Sequence, residues 1–186
     1  PFAPGEPDER LPKLLAAAAV LAGLESLRDL SRALLDALMG AVGPERGVVL
    51  LVDSAGHFKP AARKTPAGEE EFYVSNVLQH EILAERRAII ATDVRRGEPD
   101  AGKPVAILGV PLGSKEAIVG LAYLESRLGA DPKALPFRTT DLKFAAALAA
   151  FAGPRLSHLR RLRTAPQVGA KPLPELVGAF VKDCLA

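Results

Sequence analysis

Few residues in this 186-residue chain can do covalent or metal chemistry, and they are scattered. Its three histidines, His57, His80 and His158, lie far apart and share no metal-ligand spacing. The single cysteine, Cys184, sits near the end of the sequence. One cysteine excludes an internal disulfide framework and a Cys-rich zinc site, and it fits a reducing compartment. No G-x-S-x-G elbow presents a serine nucleophile, and no G-x-x-x-x-G-K-S/T loop cradles a phosphate. Gly109, Gly113 and Gly120 have the wrong spacing for a dinucleotide fingerprint and fall inside a strand–turn–strand pattern. Ser75, His80 and Asp93 can be written as a Ser/His/Asp triple, but any chain of this size offers such triples. The chain is therefore expected not to be an enzyme.

Charge and hydropathy narrow the classes further. Lys and Arg total 24 against 22 Asp and Glu, a net charge of +2. That balance leaves no electrostatic footprint for nucleic acid, and no direct nucleic-acid binding is expected. The basic run Arg155–Arg163 reads as the solvated end of a helix, where cations also favour the helix dipole. No apolar run reaches the ~20 residues a membrane helix needs. The stretch Leu14–Ala22 is mostly alanine and too short to span. With the lone cysteine, this points to a cytoplasmic protein without a membrane partner. The chain starts at Pro1 rather than Met, as expected of a segment cut from something larger or of a chain that has lost a leading Met.

The elements that must position any site follow from periodicity. Residues 1–10, rich in Pro, Gly and acid, read as a disordered lead-in. Apolar residues at helical spacing predict a long helix over 11–39, which Gly23 weakens and marks as a break point. The run Gly47–Val52 predicts a buried strand and Asp53–Gly56 a tight turn. A more polar strand follows over 57–63, placed at an edge by Pro60. Ser75 is expected to cap a short helix to about Ala84, before a short strand over 88–91 and a polar loop over 92–103. Strands over 105–111 and 117–125 flank a hairpin turn. Thr139 or Thr140 is expected to cap a last helix reaching Arg163, kinked at Gly153-Pro154. Three of the four strand connections are not helical crossovers, so the class is α+β with a mostly antiparallel sheet.

In this order, several segments resemble the GAF domain family. Asp29-Leu-Ser-Arg-Ala-Leu-Leu-Asp-Ala-Leu38 and then Glu45–Gly56 resemble the family's opening helix and first hairpin. Ser75-Asn-Val-Leu78 and Arg87-Ala-Ile-Ile-Ala-Thr-Asp93 are similar to its pocket helix and the following strand. Val110-Pro-Leu112 and Ile118–Leu124 resemble its closing hairpin, and Phe137 with Asp141-Leu142 the entry to its final helix. The resemblance spans about Leu24 to Leu162. It implies a GAF/PAS-like sheet of five to six strands. Long N- and C-terminal helices would lie on one face, and a short helix plus loops on the other. It divides the chain into a 1–10 lead-in, an 11–163 domain and a 164–186 linker with a short amphipathic tail. It also implies a regulatory domain of a bacterial signalling or transcription-regulatory protein, similar to those attached to forkhead-associated domains, kinases, cyclases or enhancer-binding activators.

By the same resemblance, a pocket lies between the sheet and the layer formed by 72–83 and 92–103. Phe72, Tyr73, Ser75, Asn76, Asp93 and Arg95 are its candidate lining. Aromatic faces, small polar groups and an opposed charge pair suit an unknown small polar ligand. Each also has a structural reading: Ser75 as a cap, Phe72 as a staple, Asp93 as a turn residue. No cofactor is identifiable. Covalent bilin attachment in the family uses a cysteine in or near the pocket, and Cys184 lies outside the resemblance. Family reductases likewise use pocket cysteines. The cyclic-nucleotide signature of the family is not traceable here, and haem has only His80 as a candidate ligand. The resemblance also implies a homodimer through the terminal helices. Val20, Leu24, Leu27, Leu34 and Leu38, with Leu156 and Leu159, are the candidate dimer stripe. The alternative is that this stripe packs on its own sheet, and that the domain is a ligand-free dimerisation or scaffold module.

Overall fold

A computed structural model describes residues 10–53, 55–66, 74, 76–94, 105–114, 117–128 and 135–164, with backbone alone at 76, 77, 93, 94 and 164. Helices α1 (Arg10–Gly23) and α2 (Leu27–Val42) precede strands β1 (Arg46–Val52) and β2 (Phe58–Lys64). Helix α3 (Asn76–Ala84) and strands β3 (Ile89–Val94), β4 (Val105–Gly113) and β5 (Ile118–Arg127) follow, and α4 (Thr139–Thr164) closes the domain. The five strands form one sheet in the order β2-β1-β5-β4-β3, with every neighbouring pair antiparallel. The α+β class and the antiparallel sheet match the sequence reading, with five strands among the described residues.

The single helix expected over 11–39 is two helices. Ser26 adopts an extended conformation and its hydroxyl accepts from the N–H of Asp29 at 3.4 Å, so a second helix starts there. The cap of α4 also differs from expectation. Asp141 Oδ2 accepts from the N–H of Arg138 at 2.6 Å, which makes Arg138, rather than either threonine, the capped position. Helix α4 continues through Pro154. The Asp53 turn forms as expected: Oδ1 accepts from the N–H groups of Ala55 and His57, each at 2.9 Å, and Gly56 takes φ 86. Chiefly the His57 N–H, and then Lys59, hold the Asp53 carboxyl at about 2, below its ordinary 3.8. Strand β2 lies at one edge, and its register with β1 slips next to Pro60.

Strand alternation gives the sheet two faces. On one, Val49, Leu108, Ala122 and Leu124 join α1, α2 and α4 in a core that includes Leu30, Leu34, Leu148 and Leu156. On the other, Val48, Ile107, Leu121 and Tyr123 pack with Leu78 and Ile82 of α3. Arg10 Nη2 lies 2.6 Å from Asp141 Oδ1, and Arg155 Nε donates to the Leu24 carbonyl at 2.7 Å. Those two ties join α1 and α4 as a parallel pair. Gly153 lets α4 touch the sheet: a Cβ there would lie 2.4 Å from the Gly113 oxygen, which is backbone and cannot move aside.

Two helical glycines should therefore respond oppositely to alanine. In urea unfolding, Gly153→Ala is expected to destabilise by roughly 2–4 kcal/mol through forced separation of α4 and β4. Gly40→Ala, where a Cβ meets nothing within 4 Å, should stabilise by about 0.5–1 kcal/mol. The depressed Asp53 carboxyl stabilises the fold fully above 3.8, and that contribution is lost as pH falls through about 2. A carboxyl carbon NMR titration should place its midpoint near 2.

Candidate functional site

The candidate site is the α3 face of the sheet. Strands β2 and β3 occupy opposite edges, so the chain between them has to cross a face, and α3 lies on that crossing. Ile82, fully buried, sits over the centre: a Cβ on Gly109 would lie 2.3 Å from its Cδ1. Glycine at 109 thus lets α3 settle onto β4. Leu121 and Tyr123 form the floor beside it, each buried.

An ion pair is built into the same face. Arg46 and Glu125 stand opposite each other on β1 and β5. Arg46 Nε donates to Oε1 at 2.9 Å and Nη2 to Oε2 at 3.2 Å, a two-pronged contact with side chains only 3% and 1% exposed. The register carries this row outward through Ile107 of β4 to Ala91 of β3. The face is therefore apolar at its centre and charged towards one end. Sequence reading missed this pair. The signal was present, because Glu125 falls in phase with Leu121 and Tyr123 inside an apolar strand.

Of the expected pocket residues, Phe72, Tyr73, Ser75 and Arg95 lie outside the described residues. Asn76 opens α3, and Asp93 lies in β3 two positions beyond Ala91, near the end of the sheet that carries the ion pair. Among the described residues no group of three His, Cys, Asp or Glu is arranged to hold a metal ion. His57, His80 and His158 are all exposed.

The expected dimer stripe needs correction. Leu34, Leu38 and Leu156 are fully buried in the domain's own core and cannot also face a second copy. Leu24, Leu27 and Leu159 are half-buried against that core. Of the stripe, Val20 alone is largely exposed, at 60%. An amphipathic helix buries its apolar stripe on the nearest apolar surface, and here that surface is the sheet.

The family model for the GAF domain matches residues 26–156. The chain belongs to the GAF domain family. Solved structures with the same fold include the GAF domain of an Acinetobacter phosphoenolpyruvate-protein phosphotransferase. It is 14% identical, has a TM-score of 0.63, and the match covers 88% of this chain and 99% of that one. The GAF domain of a putative sensor histidine kinase from Pseudomonas syringae pv. tomato is 17% identical, with a TM-score of 0.56 and coverage of 83% and 89%. A free methionine-R-sulfoxide reductase from Neisseria meningitidis, solved with its substrate, is 16% identical, with a TM-score of 0.62 and coverage of 88% and 99%. No curated protein matches the sequence.

Removing one member of the buried pair strands the other. Glu125→Gln is expected to destabilise this GAF domain by about 3–5 kcal/mol in urea unfolding. The double replacement Arg46→Met with Glu125→Leu should recover at least half of that loss, because neither of the two charges is left facing the other's empty place.

Proposed function

We propose that this GAF domain is a regulatory, non-catalytic module of a bacterial signalling protein, with a small molecule taken up between the sheet and the α3 layer. The observation that carries the reading is the α3 face itself, an apolar floor with a buried guanidinium–carboxylate pair at one end. Ligand sites combine a largely apolar surface with a few fixed polar groups. Relatives of the same fold come from a sensor histidine kinase and a methyl-accepting chemotaxis protein, which supports a place in signal transduction. Phe72, Tyr73, Ser75, Asn76, Asp93 and Arg95 remain the proposed lining, and occupancy is read out through the terminal helices. Control of transcription is one output that such a module serves.

The fold also occurs in an enzyme. The non-catalytic reading rests on chemistry: Cys184 is the only cysteine and lies outside the matched residues. The same point argues against covalent bilin. The exposed position of His80 argues against haem, and nothing in the sequence favours a cyclic nucleotide. No helix among the described residues is long and apolar enough to cross a membrane. The working form in this reading is a cytoplasmic homodimer. A second reading, a ligand-free dimerisation or scaffold module, is favoured by the way Leu78 and Ile82 already fill the space over Gly109.

A thermal-shift screen with nucleotides and common metabolites separates the two. Ligand at 100 times its dissociation constant should add about 2.7 kcal/mol and raise the melting temperature by several degrees. If no compound moves the transition while light scattering shows a dimer, the scaffold reading stands and the sensory one fails.

A further inference from the structure

The face opposite α3 holds a cleft of about 500 Å³, where the start of α2, the end of α4 and the β1–β2 hairpin meet. Four cations line it: Arg28, Lys59, Arg160 and Arg163. Its floor is apolar, made of Leu27, Leu51, Pro60 and Ala61. Among the described residues Asp53 is the only acidic one lining it, and it organises the cations. Its side chain holds Lys59 Nζ at 3.0 Å, and its main-chain oxygen accepts from Arg160 Nη2 at 3.1 Å. Arg28 and Arg163 have no hydrogen-bond or ion-pair partner among the described residues. Leu27 and Arg28, the first two residues of α2, both line it.

We propose that this cleft binds a small phosphate monoester whose organic part is apolar. Among the described lining residues four cations stand against one carboxylate, and Arg28 and Arg163 bring two positive charges that no described carboxylate pairs, more than a monocarboxylate would use. A phosphate monoester carries close to two negative charges at neutral pH and offers three acceptor oxygens. The planar guanidinium groups of Arg28 and Arg163 match those oxygens in pairs. The Leu27–Leu51–Pro60–Ala61 floor takes the apolar body. The volume is that of an ordinary small-molecule site. Asp53 is a positioning residue here: it holds Lys59 and Arg160 in place and does not contact the ligand. Because Arg160 and Arg163 belong to the last turns of α4, a bound ligand ties that helix end to the β1–β2 hairpin. The site lies across the sheet from the α3 face and does not depend on the reading proposed for that face.

Isothermal titration of the full chain at low salt tests the proposal with phenyl phosphate and inorganic phosphate as probes. Phenyl phosphate should bind saturably and about tenfold or more tighter than inorganic phosphate. The exposed pair of replacements Arg28→Gln and Arg163→Gln should weaken it by about tenfold or more. Arg138→Gln with Lys143→Gln, which removes the same charge at the other end of α4, should leave it nearly unchanged. Absence of saturable binding of phenyl phosphate at millimolar concentrations overturns the proposal. So do equal affinities for the two probes, or equal losses in the two double variants.

Discussion

A sheet ordered β2-β1-β5-β4-β3 puts two strands that are neighbours in sequence at opposite edges. Everything on the α3 face follows from that separation. The hairpins β1–β2 and β4–β5 close locally, but the passage from β2 to β3 has to span the width of three intervening strands, at nearly 5 Å per strand spacing. Helix α3 lies on this passage, and its position over Gly109 depends on the absence of a side chain there. The helix is short and its own apolar periodicity is modest, so its place is set by the sheet beneath it rather than by intrinsic helix strength.

The opposite face is built differently. Three helices share one core with the sheet, and two of its closest contacts are made by backbone. Gly153 of α4 rests against Gly113, and Gly120 of β5 against the Leu50 carbonyl, where a Cβ would come within 2.1 Å. Such contacts leave little freedom to repack. The α3 face instead carries its specificity in side chains, above all in the Arg46–Glu125 pair. A buried pair of this kind adds little net stability over an apolar replacement, yet losing one partner is costly. Its members are direct cross-strand partners, so a slip of β1 against β5 would separate two buried charges.

Strands, the edge position of β2 and the Asp53 turn were legible in the sequence because each follows from local rules. Apolar runs bounded by turn residues mark strands, and Pro60 and Gly56 have few places to go. The break between α1 and α2 was half legible. Gly23 signalled weakness, but only Ser26 and its bond to Asp29 determine where the second helix begins. The destination of an apolar stripe was not legible. Leu34 and Leu38 have the same spacing whether they meet a second copy or their own sheet, and tertiary packing alone decides. The Arg46–Glu125 pair escaped notice for a related reason: its members are 79 positions apart, and only strand order makes them neighbours.

Helices α1 and α4 run side by side in the same direction, tied at Arg10–Asp141 and again at Leu24–Arg155. A parallel pair has its two free ends at opposite poles. Arg10, where α1 begins, and Thr164, where α4 ends, therefore lie at opposite poles of the pair. A small twist of α1 against α4 would turn one pole relative to the other about their common axis, leaving the distance between the poles unchanged.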